Sequence, residues 1–224
     1  MPDFPLTLAL YNSLPVALTG LALWYLARLA LDLDRPHGRL AVAGSGMILA
    51  GGLAKATWKL VAALTGADLA WLGGALFPLL APGFALLAAA LWGATGRLRG
   101  RAASAWPRRA ALAAIGVACA VALLRQWLLE IPRGWFLPLL VLASLGNLLL
   151  SVRLIVTALR LRRLGIALLF AVNLAMIFAL QPIAMANPKT LAMHWIEQTL
   201  TVLGVGCFAL GAYRLWRLGR AIRP

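Results

Sequence analysis

The chain has 224 residues, 63% hydrophobic and 12% charged, with a mean hydropathy of +0.90. A water-soluble domain of this length cannot cover so much apolar surface, whereas a membrane bundle presents it to lipid. The formal charge of +15 would suggest nucleic acid in a soluble protein. In a chain this apolar it reads as the basic excess that orients membrane proteins, so no nucleic-acid partner is expected.

A helix needs about 20 apolar residues to cross the hydrocarbon of a bilayer. Stretches near 5–29, 39–64, 69–94, 108–129, 134–159, 163–186 and 190–215 meet that length. The expected fold is therefore all-α, a single transmembrane domain over residues 1–224 built as a seven-helix bundle. The first stretch starts close to Met1, has no basic residues ahead of it and lacks a small-residue cleavage site, so it is expected to be a retained span. It carries Asn12 and Thr19 on one face.

The second stretch contains Gly44, Gly46, Gly51 and Gly52, followed by Lys55 and Lys59. Small residues let a neighbouring backbone come close, which places this helix centrally in the bundle. The two lysines, four residues apart, share one helix face. The third stretch holds Pro78, Pro82 and Gly83 and is expected to kink, since proline removes a backbone donor. After it comes GRLRGRAASAWPRR, the longest polar connection, whose charge suits anionic lipid headgroups.

The fourth stretch contains Cys119 and ends on Arg125 and Gln126. Ser144, Asn147 and Ser151 recur at helical spacing in the fifth, with Arg153 near enough to one end to snorkel out. Asn173 and Gln181 share a face of the sixth. The seventh holds His194, Glu197, Gln198, Thr201 and Cys207. The two cysteines lie in apolar helices, which gives no disulfide framework. With two histidines besides, there is no metal-ligand spacing. No cofactor is expected.

Basic residues alternate between connections. Arg28, Arg35, Arg39, Arg97, Arg99, Arg101, Arg108, Arg109, Arg160, Arg162, Arg163, Arg214, Arg217, Arg220 and Arg223 fall on one side, fifteen of the 21. The other side has only Arg133 and Lys189 in its loops. This asymmetry puts the N-terminus outside and the C-terminus in the cytoplasm. The nine tryptophans fall near span ends, where indole rings favour the headgroup level. The lack of a soluble domain points to a bacterial inner membrane.

Charges inside a bilayer are costly and mark function or pairing. Glu197 is the one acid inside a span. It sits about 10 Å below the outer end, near the depth of Lys55, which suggests a pairing between spans two and seven. Lys55, Lys59, Arg125, His194, Glu197, Gln198, Asn12 and Gln181 all fall in the outer half and together form the candidate binding set. Asn147, Ser151 and Asn173 are expected to add interior polarity. Such a set is net cationic and favours a carboxylate, a phosphate or an anionic lipid head.

The leading expectation is a protein that binds or transports a small anionic or acidic amphiphilic ligand. For transport, Asn147, Ser151 and Asn173 would line the inward half. One alternative is a membrane enzyme doing acid and base work on a lipid or isoprenoid, but no nucleophile elbow, metal set or paired carboxylates support it. The other is a structural protein whose buried charges fix packing and whose surface meets a membrane-protein partner.

Overall fold

The computed structural model describes residues 11, 13–100, 104–185 and 191–221, all in helices and short connections with no strand among them. We number its α-helices α1 (Ser13–Leu33), α2 (Arg35–Thr65), α3 (Ala70–Gly74), α4 (Leu76–Ala94), α5 (Trp106–Leu123), α6 (Phe136–Arg160), α7 (Leu164–Met185) and α8 (Leu191–Ala221). Six helical segments are long and apolar enough to cross a membrane, with α3 and α4 counting as one segment. In α7 the shorter stretch Leu164–Leu180 is apolar. Together these mark the chain as an integral membrane protein.

Local chemistry sets the boundaries. α2 starts earlier than its apolar stretch because Asp34, in extended backbone, caps it. The Asp34 carboxylate accepts the His37 N–H at 3.3 Å, and a proline occupies the first turn. The helix closes on Gly66 at φ +71, whose N–H bonds Ala62 O, a conformation that suits glycine. The third span is interrupted at Ala75, between α3 and α4. Pro78 has no N–H to offer the carbonyl one turn back, so the helix yields there. Pro82 is accommodated inside α4.

The helices form a ring. α1 packs on α2 and α8, α2 on α4, α4 on α6, α6 on α7, and α7 on α8. α5 lies outside the ring against α4 and α6. The helix at the centre of the packing is α4. Half of the apolar segment it forms with α3 is buried, against 11% of that of α2. This corrects the expectation that span two is central. Its glycines divide by face. A Cβ on Gly44 would meet Gly83 O at 2.7 Å, and one on Gly51 would meet a Leu80 methyl at the same distance. A Cβ on Gly46 would meet nothing within 4 Å. Gly44 and Gly83 thus bring the backbones of α2 and α4 together, while Gly46 faces outward.

Packing is uneven along the bundle. The largest fully buried side chains include Leu26 and Leu29 of α1, Leu87 and Leu91 of α4, Leu150 and Leu154 of α6, Phe170 of α7 and Leu215 of α8. They cluster toward the ends of the helices that carry the arginines. On α2 the buried positions stop at Gly51, and on α8 the first described buried residue is Gly204. The opposite half of α1, α2 and α8 is open, and it holds Lys55, Lys59 and Glu197.

Candidate functional site

The α1–α2–α8 corner contains a cleft of about 260 Å³ in this open half. α2 contributes Gly52, Lys55, Ala56 and Lys59, one continuous face with i, i+3 and i+4 spacing. α8 contributes Glu197, Gln198 and Thr201, and Pro15 and Val16 of α1 form the apolar floor. Lys55 is exposed on the outside of the bundle, while Lys59 and Glu197 are half-buried. Thr201 turns its hydroxyl back to donate to Glu197 O at 2.7 Å. That bond leaves the Glu197 carboxylate, the Gln198 amide and the two ammonium groups as the cleft's chemistry.

The depth follows from helix rise. Lys55 stands ten residues before the end of α2, about 15 Å, and Glu197 six residues into α8, about 9 Å. The loop above is tied down by Trp58, whose Nε1 donates to Asp68 Oδ1 at 2.8 Å. Nothing in the sequence singled out Pro15, Val16 or Ala56, because the floor of a cleft is made by residues without chemistry of their own.

The other predicted site residues are distributed as follows. His194 is half-buried one turn before Glu197 and is not among the residues lining the cleft. Arg125 is not brought there. It sits in a π-turn (Leu124–Leu128) that ends α5, and its Nε donates to Gly134 O at 3.2 Å. Because α5 packs against α4 and α6, that guanidinium secures its own loop on another side of the bundle. Asn12 lies outside the described residues, as does the side chain of Gln181. Asn147 is half-buried on α6. Ser151 is fully buried, with no partner for its hydroxyl. Asn173 is buried on α7 against Gly204 of α8.

A second polar system lies at the arginine-rich end. His37 is buried in the first turn of α2. Its Nδ1 lies 2.6 Å from Asp34 Oδ2 and its Nε2 2.9 Å from Ser104 O. Arg97 pairs with the other Asp34 oxygen at 2.8 Å. The His37 hydrogen bond, with Arg97 beside it, holds the Asp34 carboxyl below its usual range. The ring lies close against Gly93, where any Cβ would strike it. Nearby, Trp216 Nε1 donates to Asp32 Oδ2 at 3.1 Å. Arg153 donates to Thr95 Oγ1 at 2.9 Å and to Trp92 O at 3.2 Å. These contacts join connections to helix ends and explain the tight packing of this half. The sequence signal for the first was present, since an Asp followed by a proline and His at the third position is a helix-start pattern.

No group of three metal-binding side chains occurs among the described residues. The chain matches no protein-family model, no curated protein and no solved structure.

Proposed function

We propose that this integral membrane protein binds a small anionic ligand, best an acidic amphiphile, in the α1–α2–α8 cleft. One observation carries the reading: Lys55 and Lys59 line the same cleft as Glu197 and Gln198, which are about 140 positions away in the chain. Two ammonium groups against one carboxylate leave the cleft net cationic, and a low-dielectric surround strengthens attraction for an anion. Lys55 is exposed at the mouth and the floor is apolar, an arrangement suited to a ligand with an acidic head and an apolar body that enters from the bilayer. Ser151 and Asn173 are packed side chains rather than walls of an open path, which favours binding over transport.

In this reading α7 also crosses the membrane, as the sixth of seven spans, the N-terminus is outside and the arginine-rich ends face the cytoplasm. The setting is a cytoplasmic membrane, where the positive-inside rule operates, and a bacterial inner membrane fits it. The test is a titration of the purified protein, in a neutral detergent, with a long-chain fatty acid and with the alcohol of the same chain. Saturable binding of the acid, little of the alcohol, and loss of the difference in Lys55→Met/Lys59→Met support the proposal. Equal partition of both compounds would sink it.

A further inference from the structure

We propose a second binding site, for one acyl chain and the phosphate of an anionic phospholipid, in the groove between α1 and α2 at the arginine-rich end. The groove measures about 240 Å³ and its walls include Gly20, Trp24 and Arg28 on α1 and Val42, Gly46 and Leu49 on α2. It opens outward. Trp24 is 56% exposed and Val42 49%, and a Cβ on Gly46 would meet nothing within 4 Å.

The dimensions match one leaflet. On α1 the wall runs from Gly20 to Leu31, about 16 Å at 1.5 Å per residue. Half the hydrocarbon thickness of a bilayer is about 15 Å. The deep end is closed by Leu49, whose methyl lies 3.3 Å from where a Gly20 Cβ would stand. Toward the shallow end the wall carries Arg28, whose long side chain can extend to headgroup level, with Trp24 one turn deeper. A chain lying in the groove therefore brings its phosphate to Arg28.

Charge identifies the occupant. The Arg28 guanidinium is exposed and lies over the Trp24 ring, 4.7 Å from its centroid. Among the described residues no carboxylate pairs with it, whereas Arg97 has Asp34. Stacking on indole aims the guanidinium along the groove while leaving its N–H donors for an anion. A further polar group belongs to the wall. Ser45 is 92% buried there and its hydroxyl finds no partner. An unpaired hydroxyl at this depth is costly. The site is separate from the cleft. It faces outward at the other end of the α1–α2 seam, and no residue lines both.

The experiment uses the full chain in lipid discs made from equimolar phosphatidylglycerol and phosphatidylcholine with identical acyl chains. Native mass spectrometry then identifies the lipid retained on release. The wild type is expected to keep one phosphatidylglycerol with about fivefold preference, the factor one interfacial arginine gives. Arg28→Gln should even out the two lipids. Gly46→Leu, which fills the groove from an exposed position, should retain neither. Val42→Phe fills it from one turn away on the same wall and gives the same reading if Gly46→Leu folds poorly. Equal retention by the wild type, or an unchanged preference in Arg28→Gln, overturns the proposal. So does a dimer that Gly46→Leu separates without any lipid retained, since the occupant would then be a second copy of the chain.

Discussion

Asp34 shows how one side chain organises an end of this bundle. It caps α2, binds His37 and pairs with Arg97. Asp34→Ala removes all three contacts and is expected to lower stability by about 1–2 kcal/mol, the range for loss of a helix cap, measured as a fall in melting temperature. The pH dependence has a definite sign. The folded carboxyl is held below its usual range, so its contribution is complete above the unfolded value and is lost as pH falls through the folded one. Melting scans from neutral to acid pH should show that loss in the wild type. Asp34→Asn, which keeps a capping oxygen but cannot ionise, should lack this part of it. Identical acid limbs in the two proteins would remove Asp34 from the account. In the cleft, Lys55→Met/Lys59→Met leaves the Glu197 carboxylate without the two ammonium groups, and Glu197→Gln leaves the two ammonium groups without the carboxylate, whereas the variant combining all three changes leaves none of these charges. The combined variant is expected to melt above both others, since removing one side of a charge pairing costs more than removing both. A combined variant that is simply additive would show that the lysines and Glu197 do not interact.

Among the elements, the α2–α4 seam makes the sharpest demand. Gly44 and Gly83 lie where a Cβ on either would come within 3 Å of the other's carbonyl oxygen. Backbone cannot move aside as a long side chain can, so Gly44→Val is expected to cost about 1–3 kcal/mol by forcing the helices apart. Gly46→Ala, two residues away on the open face, should be neutral within about 0.5 kcal/mol. Equal melting temperatures for Gly44→Val and Gly46→Ala would contradict the packing described. The glycine content of span two was legible as a close-contact face. Which helix it meets was not, because small residues state that a neighbour comes close and say nothing of its identity. Arg125 failed for a related reason. A cation at a span end can cap its own loop carbonyl, as it does at Gly134, and sequence depth alone does not separate that from a shared pocket. Lys55 and Glu197 were easier to place together, because each falls at similar depth within an apolar span and opposite charges in such spans seek one another.

At the scale of the whole molecule, the bundle divides into a packed half rich in arginine and an open half that holds the in-span lysines and Glu197. Hydropathy and charge alternation made the helical membrane architecture readable, since lipid imposes that pattern on every span. The uneven packing was hidden, because hydropathy marks a residue as apolar without saying whether a helix or lipid covers it. Sidedness has a direct check. With Cys119 and Cys207 replaced by Ala, single cysteines at Ala67 and Ser104, both exposed, are expected to react with an impermeant maleimide from the outside at 67 and from the cytoplasmic side at 104. The reverse labelling, or labelling of both from one side, would overturn the proposed orientation. The claim that the open half is a binding site is tested most directly by native mass spectrometry of the gently extracted wild type, with the retained small molecules identified. A stoichiometric acidic molecule that is absent from Lys55→Met is the predicted result. A wild-type protein that keeps its fold and retains no acidic molecule at this site would contradict it.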